Sequence, residues 1–334
     1  MKDTRIHRRA WLQALASLTL AIPASAALGK DDAAAWPAAP IRIVVAYPAG
    51  GGVDFVARSF AEHLGTALKQ RVFVENRAGA SGSVGAALVA RAKADGYTLL
   101  LASPAEVVVG PAAGQKVPYD AQASFEPVGL LGETPLAIAA HPSVGSGSLA
   151  ELLEQARGGK SLSFGTPGGG SPMHFAGESL NQIGRTTILH IPYKGAAPAV
   201  NDLLGGQVPL AVVGLPPLIQ HAKSGRIRVL AVTTEARSSA LPNVPAVAEL
   251  PGFAGFRFSN WMGLYAPAGT PGPVVARLSA LVAEIASNTA ARKAWQDAGV
   301  EPRGLDAKDF TAFLHSERQR YASIAKERSI RFVE

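Results

Sequence analysis

The sequence predicts an α/β chain built as two lobes. Apolar strand-like runs alternate with amphipathic helical patterns in two separate sets, and each set opens on a strand that runs into consecutive glycines at a helix start. Length agrees, since 334 residues suit two lobes of about 100–150 residues each. With 48% hydrophobic and 17% charged residues, the chain can bury large cores and is too apolar to be disordered.

The N-terminus reads as a secretory signal over residues 1–26. Lys2, Arg5, Arg8 and Arg9 precede an uncharged stretch from Ala10 to Ala27 with a small-residue cleavage site at Ala24-Ser25-Ala26. Gln13 and Pro23 interrupt that stretch, which makes it a poor permanent span. Arg8-Arg9 followed by Trp11 and Leu12 also suits a twin-arginine signal, so Sec and twin-arginine export both stay open. The expected location is the periplasm. The remaining chain holds 28 basic and 24 acidic residues, a mild excess with no Lys/Arg run or aromatic interleaving, which argues against nucleic acid as a partner. There is no cysteine, which excludes disulfides, thiolate metal sites, a thiol nucleophile and an N-terminal lipid anchor.

Residues 28–39, rich in Ala, Asp and Pro, read as a loose leader. Strand 41–47 then leads through Pro48-Ala49-Gly50-Gly51-Gly52 to a helix near 54–69, with Phe55, Val56, Phe60, Ala61, Leu64 and Leu68 at helical spacing. Strand 71–75, a helix near 82–93 and strand 97–102 follow, the pattern of parallel β-α-β units. A loop-rich stretch through Pro104 and Gly110-Pro111 approaches strands 127–132 and 135–140, and 148–157 reads as helical. The second set runs through strand 162–165, helix 172–183, strand 186–191, helix 196–205, strand 208–213, helix 216–223 and strand 227–233. After a turn and short helix at 241–251 comes the apolar run 261–266, then helices near 271–287, 288–298 and 307–328, the last capped by Asp306. These C-terminal helices are expected to lack strands of their own and to pack back on the first lobe. The expected domains are lobe 1 over 40–134 and 253–334, and lobe 2 over 135–252.

A strand that feeds a glycine loop at a helix start exposes unpaired N–H groups and the positive end of the helix dipole, a place that holds an anion. The chain has two, at Pro48–Asp54 and Gly165–Ser171, which suggests one small anion held between lobes. A tight structural turn explains one glycine at the first loop better than three. Tyr47 either stacks on a ligand's carbon skeleton or belongs to the core, and Asp54 reads as a cap. In the second loop Ser171-Pro172 is a good N-cap and N1 pair. Ser171 and Thr166 offer hydroxyls, and His174 either faces the cleft or packs. The glycines at Gly79-Ala80-Ser81-Gly82-Ser83-Val84-Gly85 lack dinucleotide spacing, and no phosphate loop exists. No nucleophile elbow or metal spacing of histidines appears, and Ser171 with His174, three residues apart at a helix start, makes a poor nucleophile and base. The chain is therefore expected to be no enzyme and to need no cofactor or metal.

Tyr47-Pro48-Ala49-Gly50-Gly51-Gly52-Val53-Asp54-Phe55-Val56-Ala57-Arg58 resembles the first signature of the Bug family, the extracytoplasmic solute-binding proteins of tripartite tricarboxylate transporters. The likeness continues in order through Val74-Glu75-Asn76-Arg77-Ala78-Gly79, Asp95-Gly96-Tyr97, Pro118-Tyr119-Asp120, Phe164-Gly165-Thr166-Pro167-Gly168-Gly169-Gly170-Ser171, His190-Ile191-Pro192-Tyr193-Lys194-Gly195 and Ala266-Pro267-Ala268-Gly269-Thr270-Pro271. It spans essentially the whole chain after the signal. The resemblance implies a type II periplasmic-binding-protein fold, two α/β lobes joined by crossover strands around a ligand cleft. It implies that Tyr47, Ala49, Gly50, Gly51 and Asp54 approach a small organic carboxylate from one lobe, and Gly165, Thr166, Gly168, Ser171 and His174 from the other. Tyr193 and Lys194 would border the cleft, Lys194 as a counter-ion or as a solvated loop lysine.

The sequence departs from that family after strand 97–102. Where a Thr/Ser/Asn-rich turn and Asn-Pro are expected, it reads Ala102-Ser103-Pro104-Ala105-Glu106-Val107. Ser103 and Glu106 would line the cleft there, and Glu106 would repel a second ligand carboxylate or pair with an amine or hydroxyl. The expected function is a monomeric receptor that passes a carboxylate to membrane transporter subunits. The alternative is a periplasmic sensor that feeds a membrane two-component kinase. A secreted hydrolase would need Ser171.

Overall fold

Residues 36–331 are described by the structure, a computed structural model; the signal expected over 1–26 and the leader up to residue 35 lie outside the described residues. The chain opens with β1 (Ile41–Val45), α1 (Gly52–Leu68), β2 (Val72–Asn76), α2 (Ser83–Ala90) and β3 (Thr98–Ala102). β1 lies between β2 and β3 and is parallel to both, so its Ile-Arg-Ile-Val-Val run is covered on two faces and buried at all but Arg42. Trp36 is not part of a loose leader: it is 3% exposed, packs at a tilt on Tyr97, and its carbonyl accepts from Arg277.

β4 (Phe125–Ala140) is one continuous strand of 16 residues where the sequence suggested two. The polar Glu133-Thr134 pair reads as a break, yet these two residues and Pro135 pair in register with Trp261, Asn260 and Ser259. Beyond it follow α3 (Leu149–Arg157), β5 (Ser163–Thr166), α4 (Pro172–Gly184), β6 (Leu189–Pro192), α5 (Ala196–Leu204), β7 (Leu210–Gly214), α6 (Ile219–Lys223) and β8 (Arg228–Val232). The chain closes with β9 (Ser259–Pro267), α7 (Gly272–Ser287), α8 (Thr289–Asp297), β10 (Glu301–Leu305) and α9 (Ala307–Glu327).

The strand path is β2-β1-β3-β9-β4-β7-β5-β6, with β8 and β10 also paired to β4. β4 changes partners along its length: residues up to Pro135 pair with β9, and residues from Leu136 pair with β7 and β8. At the change, the buried Glu133 accepts from Ser259 Oγ at 2.6 Å and pairs with Arg257 at 3.1 Å and with Arg303. Burial alone would raise this carboxyl, but the two guanidiniums outweigh it and hold it below the usual range.

The expectation that the C-terminal helices bring no strand is corrected by β10, antiparallel to β4 at Glu301↔Glu133 and Leu305↔Leu130. The packing of α7 and α8 follows expectation, whereas α9 also reaches α4, which was expected in the other lobe. Val274, Leu278 and Val282 of α7 and Trp295 of α8 share one core with Val56, Phe60 and Leu64 of α1, and Trp295 Nε1 donates to Ser59 Oγ at 2.9 Å. α9 starts at the Asp306 cap, whose carboxylate accepts from Asp309 N–H at 2.8 Å. Its Tyr321 stacks edge-on against Phe175 of α4, and Arg328 just beyond its end pairs with Glu178 of α4 at 2.7 Å.

Candidate functional site

The first glycine loop joins β1 to α1. Gly51 is the N-cap and brings no side-chain acceptor, so the N–H groups of Gly51 and Gly52 have no hydrogen-bond acceptor among the described residues. A Cβ at Gly50 or Gly52 would meet nothing within 4 Å, and one at Gly51 only the Pro48 carbonyl at 3.7 Å. Of the three, Gly50 alone needs glycine for its backbone, with φ +84°. The fold therefore does not explain the other two. Ala49, Gly50, Gly51 and Gly52 are all exposed.

Asp54 is buried and holds this loop in place. It accepts from Gly50 N–H at 2.9 Å, from Asn76 Nδ2 at 2.9 Å and from Arg58 Nε at 3.0 Å. Burial opposes its charge, yet the bonds from Arg58, Gly50 and Asn76 keep its carboxyl below the usual range. Asn76 also donates to the Tyr47 carbonyl at 3.0 Å, tying the end of β2 to the end of β1. Arg58 and Asn76 are supporting residues that sequence reasoning missed, although both stand inside the quoted signature blocks.

Behind the loop, Tyr47 is half-buried and Ser103 and Glu106 are fully buried. The segment after β3 is helical, not a loop: Ala105–Val109 forms a π turn that continues into Gly110–Ala112. Glu106 thus turns inward, where its carboxylate meets Tyr47 and Ser103 rather than open solvent. Burial pushes this carboxyl up to about 7, against bonds from Tyr47 and Ser103 that favour charge. The third glycine cluster packs here: a Cβ at Gly82 would touch the Glu106 carboxyl at 3.0 Å, and one at Gly85 would meet Ala46 at 2.9 Å.

The second loop joins β5 to α4. Ser171 caps α4 as expected, accepting from His174 N–H at 3.3 Å while its hydroxyl donates to the Gly168 carbonyl at 2.7 Å. His174 turns its ring away from that hydroxyl and takes Gly170 N–H on Nδ1 at 3.1 Å. The buried Thr166 hydroxyl bridges the Gly168 carbonyl at 3.1 Å and His190 Nε2 at 2.7 Å. These groups are spent on holding the loop; what it presents is backbone, including a Gly169 N–H with no acceptor among the described residues. Gly165 is buried, and its missing side chain leaves room for the Tyr193 ring, which would lie 2.8 Å from a Cβ.

Burial lowers the pKa of both His174 and His190 to about 4. Tyr193 is held by Asp202, which accepts from its hydroxyl at 2.9 Å. Lys194 is exposed and in no ion pair among the described residues. His190 and Asp202 also escaped selection from sequence, because a histidine at a strand end and an aspartate on a helix carry no spacing signal of their own.

Strand directions relate the two loops. β1 is parallel to β3, β3 antiparallel to β9, and β9 antiparallel to β4, so β1 runs with β4 toward the half that holds β5. β7 is antiparallel to β4 and parallel to β5, so β5 runs the opposite way, toward the half that holds β1. Both glycine loops therefore leave their strands at ends that point toward each other along β4. Ligands of α/β sheets gather at the carboxyl ends of strands.

Comparison with known proteins agrees with this geometry. A family model described as tripartite tricarboxylate transporter family receptor, TctC, matches residues 56–330. The chain is 39% identical over 330 residues to a UPF0065 protein of Bordetella bronchiseptica, covering 97% of each. Among solved structures it is similar to Rpa4515 of R. palustris with adipate, at TM-score 0.77 and 31% identity, covering 89% of this chain and 99% of that one. It is similar also to the periplasmic binding protein BugD, at TM-score 0.73 and 33% identity, with the same coverage.

Proposed function

This chain belongs to the TctC family of tripartite tricarboxylate transporter receptors, and we propose that it captures a small organic carboxylate in the periplasm and hands it to the membrane subunits of such a transporter. One observation carries the reading: two glycine loops with N–H groups that have no acceptor among the described residues stand at opposed strand ends, and at the first of them nothing but one carbonyl lies within 4 Å of where side chains would begin. Charge-assisted N–H bonds strengthen once water is excluded, so a carboxylate that touches both loops favours the closed arrangement by its extra affinity for it.

Lobe 1 comprises residues 40–134 and 253–334, and lobe 2 residues 135–252, with the crossing at the change of β4 partners after Pro135. The chain acts as a monomer. Tyr47, Ala49, Gly50 and Gly51 meet the ligand from lobe 1, and Gly168, Ser171 and Tyr193 border it from lobe 2. Asp54, Thr166 and His174 hold the loops, and Lys194, exposed and in no ion pair among the described residues, is the counter-ion beside Tyr193. The adipate held by Rpa4515 gives the scale of ligand for the first assay.

The test is a thermal-shift and calorimetric panel of adipate, malate, amino-carboxylates and aromatic acids. A true ligand at a hundred times its Kd stabilises the fold by about 2.7 kcal/mol. A folded protein that no member of the panel stabilises would refute the receptor reading for this ligand class.

A further inference from the structure

Glu106 has a fully buried side chain that loop-holding does not explain. It is 0% exposed, sits on the π turn Ala105–Val109, and among the described residues it is in no ion pair. Carboxylates are almost never buried so completely without a cationic partner, and π turns gather at functional positions. Its surroundings are hydroxyls. Tyr47 faces it from the end of β1, Ser103 from the end of β3, Tyr119 donates to its backbone carbonyl at 2.8 Å, and the buried hydroxyl of Tyr265 on β9, which has no partner among the described residues, feels its charge. Arg318 of α9 acts on Tyr265 and donates to the Ala121 carbonyl at 3.3 Å.

The oxygens Tyr47 Oη, Ser103 Oγ and Glu106 Oε2 stand 2.7 Å from one another on all three sides. Each side of such a triangle needs a proton, because two oxygens that close with nothing between them repel. The two hydroxyls supply two protons. The third has to come from the carboxyl group. Its other oxygen, Oε1, accepts Ser103 N–H at 2.8 Å, as the carbonyl of an acid does.

We infer that Glu106 closes this ring as a neutral acid, a positioning residue that fixes Tyr47 beside the first glycine loop, and that an anion seated on that loop is captured together with a proton. The second half rests on the receptor reading. A negative guest next to Tyr47 disfavours a second negative charge behind it, so wherever Glu106 is ionised in the empty protein, binding draws a proton from solvent onto its carboxylate. Burial already sets that carboxyl near neutrality, so the coupling falls in the range where the protein is handled. At that site Glu106 thereby removes the penalty that a fixed carboxylate would impose on an acidic ligand.

Two measurements test this. The Glu106 side-chain carboxyl carbon, assigned by NMR through its own backbone and by its loss in Glu106→Gln, is expected at an acid's chemical shift at pH 5.5 and to titrate near 7. A carboxylate shift already at pH 5.5 overturns the ring, and the wild-type titration decides this even if the variant does not fold. Calorimetry with adipate and with malate, in buffers of different ionisation heat, is expected to report uptake approaching one proton at pH 8.5. The Kd should be about tenfold weaker there than at pH 6.5, with both effects absent in Glu106→Gln. Binding with no proton uptake at pH 8.5 overturns the coupling. Failure of every carboxylate to bind at any pH overturns the receptor reading and the coupling with it, while the carbon titration still judges the ring.

Discussion

His174 and His190 stack face to face, with ring centroids 3.7 Å apart and planes 13° from parallel. One ring comes from the first turn of α4 and the other from β6, so the stack clamps the second glycine loop from behind. Both rings must be neutral to do this. His174 Nδ1 can accept from Gly170 only with its lone pair free, and two cations at that spacing repel.

The pair predicts acid sensitivity. Burial holds both groups near 4, below the value of about 6.5 for an unfolded histidine. Between those values the unfolded chain binds protons that the folded chain refuses, so this contribution is present above pH 6.5 and lost as pH falls toward 4. Glu106, raised by burial, acts with the opposite sign, losing stability as pH rises toward 7. The histidine part is therefore read as the difference between wild type and His190→Phe in urea denaturation at pH 7 and 4.5. We expect wild type to lose about 2 kcal/mol more than the variant, after allowance for partial exposure. Equal losses in the two proteins would dismiss the neutral pair.

Gly51→Val separates ligand contact from folding. Gly51 has φ −82° and ψ 168°, which any residue adopts, and a Cβ there meets one carbonyl at 3.7 Å. The variant is expected to keep its unliganded stability within about 0.5 kcal/mol and to lose the carboxylate-induced thermal shift. Gly85→Val is the contrast, since its Cβ would lie 2.9 Å from Ala46 and from the Arg77 carbonyl. It should lose about 1–3 kcal/mol or more without any ligand. An intact thermal shift in Gly51→Val would remove the first loop from the site.

Glu133→Gln tests the place where β4 changes partners. The change leaves Arg257 and Arg303 facing each other around an uncharged amide in a buried place. Breaking such a network from one side costs about 3–5 kcal/mol. Equilibrium urea unfolding measures it, and a loss below about 1 kcal/mol would mean that the cluster is solvated in solution.

Much of this molecule was legible from the chain. Parallel strands such as Ile41–Val45 announce themselves as unbroken apolar runs, and the caps Ser171 and Asp306 sit where a side-chain oxygen is needed. β10 was invisible because Glu-Pro-Arg-Gly-Leu has no strand propensity; it is a strand because β4 supplies a ladder and Pro302 can lie on the free side. The same limit hid the unity of β4, where Glu133-Thr134 reads as a gap between two strands but is held by Trp261 and Asn260 of the distant β9. At the site, the glycine loops were readable as uncovered backbone at helix starts. The inward turn of Glu106 was not, because a π turn depends on what packs around it, and the residue pattern alone put this glutamate in the cleft lining.

The slot that β9 fills has a consequence for how the chain assembles. β3 and β4 both precede it in sequence, yet they are joined only through Ser259–Pro267, which lies between them and pairs with both. More than two hundred residues must be made before the first half can finish its ladder, so that half is not a self-sufficient intermediate. Completion waits on a late piece of polypeptide, and slow, long-range closure of this kind leaves apolar edges uncovered for most of synthesis.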